Sequence, residues 1–457
     1  MHKVFKKNNF QFCFFIVFLI SINNNLYSKS IYDSFKTVYV NSPVLKSNRL
    51  KLESLNEEIV KVLSKKRPNI DLYGKIGADK TKTLNTSKVE STKNNNPKSI
   101  NLEISQNLYD SGRTKFDLNK TDSLILAQRA ELLHEEQTVF LKTADSYLTL
   151  LAAIEINKLS KNNLKVLSRY YESTKSRFDV GEATTTDLAT SKAKFLRGQS
   201  DEIKTRGDIE IEKSKFFSIV GEEAPNKLDF PKKPIKTPED LNKLLKETLK
   251  ENPKIIEFAL KKKSSFSDVS LSVSKLLPKL DLSFTAQNAW APNTFFEEYE
   301  NYKLELSLNI PLYSGGYNHS DVRQKRKQAI QSSKYFDYII RNTLKESEVL
   351  WVKQKSLESQ VNSIKATINA NMMALEGVKK EAEVGARTIL NVLDAEQDVL
   401  EEKLDLVKVR KDIVYNSFSM LAQIGKLNAR DLKLDVKLYD NNKHYSEIKK
   451  IWLGFEQ

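Results

Sequence analysis

Residues 302–316 read YKLELSLNIPLYSGG, and residues 100–112 read INLEISQNLYDSG. In the first, Tyr302, Leu304, Leu306, Leu308 and Ile310 alternate with Lys303, Glu305, Ser307 and Asn309. In the second, Ile100, Leu102, Ile104 and Leu108 alternate with Asn101, Glu103, Ser105 and Asn107. A period of two marks a β-strand with one apolar and one polar face. Each run has an upstream partner: Ile70, Leu72, Gly74, Ile76 before one, and Leu280, Leu282, Phe284, Ala286 before the other. The pattern predicts two β-hairpins, at about 69–109 and 279–313, with polar loops Lys80–Lys98 and Ala291–Glu300 between their strands. Strands of roughly ten residues are long enough to cross an outer membrane when tilted. A half-buried hairpin in a soluble domain shares this alternation, but two of them in an exported chain with few other strands favour the membrane.

The two stretches belong to a larger duplication. Gly112 pairs with Gly316, Gly181 in DVGEAT with Gly385 in EVGART, and Gly221 with Gly425, each 204 residues apart. Tyr147 pairs with Trp351 in the same register, so 102–221 aligns with 306–425 without a gap. Upstream, Ser42-Pro43 matches Asn252-Pro253 and Pro68 matches Pro278, now 210 apart. The extra residues fall between Pro68 and Leu102. A period of this size is a duplicated half rather than a solenoid repeat.

Between the hairpins and the glycines lie long helical stretches. Arg113–Val180 contains neither Gly nor Pro, and neither does Tyr317–Glu376. Apolar residues recur at helical spacing, for example Leu133, Phe140, Ala144, Tyr147, Leu151 and Ile154. Some 60 residues make a helix of about 90–100 Å, which must pack as a coiled coil. Gly181 and Gly385 are placed to end these helices in the left-handed conformation. Thr184 and Thr388 are placed to cap the returning helices, with Asp187 and Asn391 at the capping-box position. Each half is therefore expected to hold a short helix, a hairpin, a long helix, a tight tip and a second long helix. Two hairpins give four strands, and the smallest outer-membrane barrels have eight. Several chains must then share one barrel: two would supply eight strands, three twelve, four sixteen.

Composition narrows the function. Of 457 residues, 29% are charged and 40% hydrophobic, which excludes a bundle of membrane-spanning helices. Lys3, Lys6 and Lys7 precede an apolar run from Phe12 to Ile20, so 1–28 reads as a secretory signal peptide. Cys13, the only cysteine, lies inside that run, so no disulfide can form within the chain. The net charge is +15, but the lysines are interleaved with Glu and Asp along helices, as on a solvated face, and no nucleic-acid partner is expected. His134-Glu135-Glu136 is followed by Thr138 where a zinc motif would need His, and His2, His134, His319 and His444 are scattered. No phosphate loop of the G-x-x-x-x-G-K type and no G-x-S-x-G occurs. No enzyme activity, cofactor or metal is expected. The structural rival is a periplasmic coiled-coil adaptor, which would explain the helices but not two membrane-length hairpins in a duplicated frame.

The segments ISQNLYDSGR (104–113), RFDVGEATTTDLATSKAKF (177–195), LNIPLYSGG (308–316) and EVGARTILNVLDAEQDVLEEK (383–403) resemble the TolC family of outer-membrane channel proteins. The resemblance covers about 30–440 and occurs twice in register; the ending YDNNKHYSEIKKIWLGFEQ is similar to tails of type I secretion members. It implies an α+β membrane protein: a homotrimer with a twelve-stranded outer-membrane β-barrel continued by a periplasmic α-helical barrel. It further implies export of proteins or small toxic compounds, by docking with a periplasmic adaptor and an inner-membrane ABC or proton-driven transporter. In these terms the chain divides into signal peptide 1–28, first repeat 29–221 with its tip at 181, linker 222–238, second repeat 239–425 with its tip at 385, and C-terminal periplasmic tail 426–457. By the same resemblance Val180, Gly181, Val384 and Gly385 are adaptor-docking tips. Asp394, Asn391, Arg387 and Asp187 stand where the family closes its periplasmic entrance. Asn391 occupies a position where aspartate is usual, and Ala382 replaces a tyrosine of the latch. Three copies of Asp394 around an axis would attract cations, and an Arg387–Asp187 pair between neighbouring helices would oppose their repulsion.

Overall fold

The computed structural model describes residues 29–84, 90–225, 227–231, 237–293 and 296–454. The signal-peptide reading of 1–28 lies outside them, as does part of the 222–238 linker. The elements follow the chain as α1 (Ile31–Asn41), α2 (Pro43–Ser64), β1 (Asn69–Ile76), β2 (Asp79–Leu84), β3 (Glu90–Asn95), β4 (Lys98–Tyr109), α3 (Arg113–Asp179) and α4 (Thr185–Val220). The second half supplies α5 (Leu241–Glu251), α6 (Pro253–Ser274), β5 (Lys279–Trp290), β6 (Glu298–Asn309), α7 (Tyr317–Glu383) and α8 (Ile389–Gln423), and α9 (Lys443–Ile448) follows. The starts of α3 and α7, and of α4 and α8, are 204 residues apart; those of α1 and α5, and of α2 and α6, are 210 apart. The duplication is thus one of structure.

Two helices, not one, precede each hairpin. Pro43 and Pro253 each open the second helix, where a missing N–H costs nothing, while the residue before each proline is pushed out of helical geometry. The Asn252 side chain then caps α6, accepting from the N–H groups of Lys254 and Ile255. The sequence pattern marked these prolines but not the break they impose.

The four-stranded sheet runs β1-β4-β5-β6, antiparallel throughout. Its register sorts the side chains by face. Ile70, Ile104, Phe284 and Leu304 make one rung across all four strands, and Leu72, Leu102, Ala286 and Tyr302 the next. The rungs between are polar: Asp71, Glu103, Thr285, Lys303, and then Tyr73, Asn101, Gln287, Asn301. Because alternate residues point to opposite faces, one face of the sheet is apolar across its middle, with Gln106, Asn288 and Glu300 on the same face beyond these rungs. Ile70, Leu72, Leu304, Leu306 and Leu308 on it are exposed. β1 and β6 each keep one unpaired edge.

The stretch expected as a loop, Lys80–Lys98, instead carries two strands. β2 and β3 pair antiparallel from Asp79↔Asn95 to Leu84↔Glu90, making a second sheet beyond the first. The two ladders are separated where Pro97, which has no N–H to donate, faces Gly77; the Gly77 N–H to Pro97 carbonyl bond spans the gap, at 2.8 Å. The loop expected at Ala291–Glu300 is likewise shorter, since β6 begins at Glu298.

The helices continue from the sheet in the same order. Each of α3 and α7 runs 67 residues. Among the described residues no helix is apolar enough to cross a membrane. The main core lies midway along α3, where α1 and the ends of α4 and α8 converge. Phe35 stacks on Phe140 with ring centroids 4.8 Å apart, and Phe418 meets Phe35 edge-on at 5.6 Å. The buried Tyr147 hydroxyl lies 2.7 Å from the carbonyl oxygens of both Lys29 and Asp229 and accepts the Asp229 N–H. It ties the start of the described chain to the segment that joins the halves.

Candidate functional site: the two helical tips

At the ends farthest from the sheet, each long helix turns into its return helix within five residues. The Gly181 N–H bonds to the Phe178 carbonyl at 2.9 Å and the Glu182 N–H to the Arg177 carbonyl at 2.7 Å. Gly385 repeats this with Ala382 at 3.1 Å, and Ala386 with Glu381 at 2.8 Å. This pair of bonds closes a helix when its next residue is left-handed, and Gly181 and Gly385 have φ of +81° and +79°. A Cβ at either would meet nothing within 4 Å, so the constraint is backbone conformation rather than space.

The return helices start on reciprocal caps. The Thr184 N–H and hydroxyl both donate to the Asp187 carboxylate, at 3.1 and 2.7 Å, and the Asp187 N–H donates back to the Thr184 hydroxyl at 3.1 Å. Thr388 and Asn391 do the same at 3.2, 2.8 and 3.4 Å. The Thr184 hydroxyl, then its N–H, hold the Asp187 carboxyl below the usual aspartate range. Asn391 does the same capping work without a charge. Val180 and Val384, immediately before the glycines, are exposed.

Each turn also carries an ion pair, with the polarity reversed between halves. Arg177 reaches Glu182 at 3.7 Å in the first tip, and Arg387 reaches Glu381 at 2.8 Å in the second. The Arg387–Asp187 pair expected from the family pattern is not formed within the chain: Arg387 is engaged by Glu381, and Asp187 by Thr184. Asp394 does not stand alone either. Lys194 of α4 meets it at 2.9 Å. Two residues further along α8, Glu396 bonds Lys379 of α7 at 2.6 Å. Burial opposes the Lys379 charge, but the Glu396 hydrogen bond and its charge win, and the ammonium is held above the usual lysine value.

An apolar cluster holds the tip pairs together. Leu375, Val392 and Val399 of the second hairpin take in Tyr170 from α3, and Ala382 lies in the same cluster. In the first hairpin Tyr171 stacks on Phe195 at 5.6 Å. Sequence reasoning missed Lys194, Glu381 and Lys379. Each sits in a helix face of mixed charge, where nothing local distinguishes a paired residue from a solvated one. Among the described residues no group of acids, histidines or cysteines could hold a metal.

The family described as "Outer membrane efflux protein" matches residues 36–222 and 244–425. The chain is 24% identical over 428 residues to the outer membrane efflux protein BepC of Brucella suis biovar 1, covering 93% of this chain and 92% of that one. It is 23% identical over 425 residues to the outer membrane protein TolC of Escherichia coli K12, covering 89% and 84%. The solved CmeC outer membrane channel of Campylobacter jejuni superposes with a TM-score of 0.78 at 15% identity, covering 92% of this chain and 89% of that one, and so shares the fold. With both halves matched, and with four strands and the duplicated helical hairpins in place, this chain belongs to the outer membrane efflux protein family.

Proposed function

We propose that three copies of this chain form one export channel of the outer membrane, and that its helical tips receive a periplasmic adaptor and an inner-membrane transporter. The observation that carries this is the sheet. Four strands carry two adjacent rungs, from Ile70 to Leu304 and from Leu72 to Tyr302, across the middle of one face, and leave β1 and β6 unpaired at the edges. In lipid every backbone group must be satisfied, so β6 of one chain has to pair with β1 of the next until the sheet closes. Three chains give twelve strands, and the helices below each strand extend the wall into the periplasm. In this reading 29–221 and 239–425 are the structural repeats, joined by 222–238, and the chain catalyses no reaction. The energy comes from the inner-membrane partner.

The tail supports protein secretion by the type I route as the transport class, with efflux of small toxic compounds as the second. The test has two parts. Outer-membrane fractions should contain a trimer that resists dissociation in detergent, and the purified trimer should conduct in a planar bilayer. A monomer found in the soluble periplasm would return the chain to the adaptor class.

A further inference from the structure

The tail beyond α8 ends beside the sheet rather than beside the tips. α9 buries Ile448 against Leu52 and Ile59 of α2 and Ile125 and Leu132 of α3. The Tyr445 hydroxyl donates to the Asp122 carboxylate at 2.5 Å, and the Arg129 guanidinium lies 5.3 Å from the Tyr445 ring. The tail is thereby fixed along α2 and α3. It then reaches Arg67, two residues before β1. The Arg67 guanidinium donates to the Ile451 carbonyl at 3.3 Å and lies 4.5 Å over the Trp452 ring. At ~3.3 Å per residue, Trp452 is on the order of 10 Å from the first rung of β1.

That end of the sheet is its helix-side rim, where β4 passes into α3 and β6 toward α7. Trp452 is 66% exposed and Leu453 93%. Tyr109, Leu312, Tyr313 and Tyr317, near the same rim, are exposed as well. A ring of aromatic and aliphatic side chains at the margin of an apolar band is the signature of a bilayer interface. Lys449 and Lys450 directly precede the apolar residues, and the Lys449 ammonium lies 4.1 Å from the Tyr445 ring. Cations flanking an amphipathic aromatic suit a surface of anionic lipid headgroups.

We propose that Ile451–Leu453 is a membrane-interface anchor. Trp452 and Leu453 enter the periplasmic leaflet of the outer membrane, and Arg67, Lys449 and Lys450 meet its anionic phospholipid headgroups. The anchor rests on the reading of the sheet as a lipid-facing barrel wall. It would fix the height of the barrel when force is applied at the far end of the helices.

The test uses the full-length protein in nanodiscs of phosphatidylethanolamine and phosphatidylglycerol with brominated chains, which quench tryptophan on contact. Trp290→Phe with Trp351→Phe leaves Trp452 as the reporter. Trp351→Phe with Trp452→Phe leaves Trp290, which shares the apolar parity of β5 and reports barrel insertion. Both reporters should lose most of their emission. Lys449→Glu with Lys450→Glu, or replacement of phosphatidylglycerol by phosphatidylcholine, should restore Trp452 emission and leave Trp290 quenched. Quenching of Trp290 with Trp452 open to aqueous iodide overturns the anchor and spares the barrel. Quenching of neither overturns the barrel reading and the anchor with it. Quenching of Trp452 that ignores headgroup charge overturns the anionic-lipid part.

Discussion

The Lys194 ammonium of α4 sits 2.9 Å from the Asp394 carboxylate of α8, joining the two helical hairpins of one chain near their tips. The side chains are 34% and 54% exposed, so the pair contributes only ~0–1 kcal/mol to stability. Its consequence is electrostatic. If three copies of Asp394 line the periplasmic constriction, three copies of Lys194 lie against them and offset their field. Lys194→Ala should therefore increase cation selectivity in a planar bilayer, and Asp394→Ala should decrease it. The double variant, which loses one charge of each sign, should fall between the two single variants and near the parent. Reversal potentials in a salt gradient give all three values, and selectivity equal to the parent in each would remove both residues from the constriction.

The tip glycines offer a separation of fold from docking. An L-residue at φ of +79° costs about 1–2 kcal/mol, less for Asn, which tolerates this region. Gly385→Asp also adds a charge beside Val384 at the surface proposed to receive the adaptor. Ethidium efflux should fall to the level of a strain lacking the channel, with the trimer still present in the outer membrane. Gly385→Asn should retain most efflux. Wild-type efflux by an assembled Gly385→Asp trimer would take the tip out of the docking surface.

What could be read in the chain, and what could not, follows from the range of the interactions. Strand alternation at Tyr302–Ile310 and the glycines at 181 and 385 are local signals, because pleat and helix termination are set by neighbouring residues. The duplication made each signal visible twice. The ribbon of β2 and β3 escaped because Lys, Thr, Asn and Ser occupy both of its faces, so no period appears. The pairing of Lys194 with Asp394 depends on how helices lie side by side, and that of Arg387 with Glu381, six residues earlier, on how the tip folds back. Mixed charge along a helix does not encode that. The family pattern supplied the candidate site residues, and the structure supplied the partners they have within the chain.

The β2–β3 ribbon sets where a surface tag can be placed. Asn95 is held as the partner of Asp79, and its side-chain amide donates to the Ala291 carbonyl at 2.6 Å. An insertion there would break the ladder. A peptide tag placed between Leu84 and Glu90, the residues that end the ladder, should be tolerated and reached by antibody on intact cells. Labelling that requires permeabilisation of the outer membrane would invert the topology.

The half-buried Glu136 is expected to give the helical body a pH dependence. Its carboxylate accepts the Ala429 N–H at 2.7 Å, one of the bonds that join α3 to the segment after α8. Burial pushes its pKa up, against the pull of that hydrogen bond and of Arg49 and Arg430. A carboxyl with a folded-state pKa above its unfolded value binds more protons when folded. Its contribution to stability is therefore fully present below the unfolded value, and is lost as pH rises through the folded value. Glu136→Gln keeps an oxygen for the Ala429 N–H and has no charge to bury. Relative to the parent, the variant should gain thermal stability on going from pH 4 to pH 8, with the gain concentrated just above the ordinary glutamate range. Melting curves of the two proteins across that series measure the difference directly. A parent-minus-variant difference that stays flat with pH would mean that Arg49 and Arg430 fully compensate the buried charge.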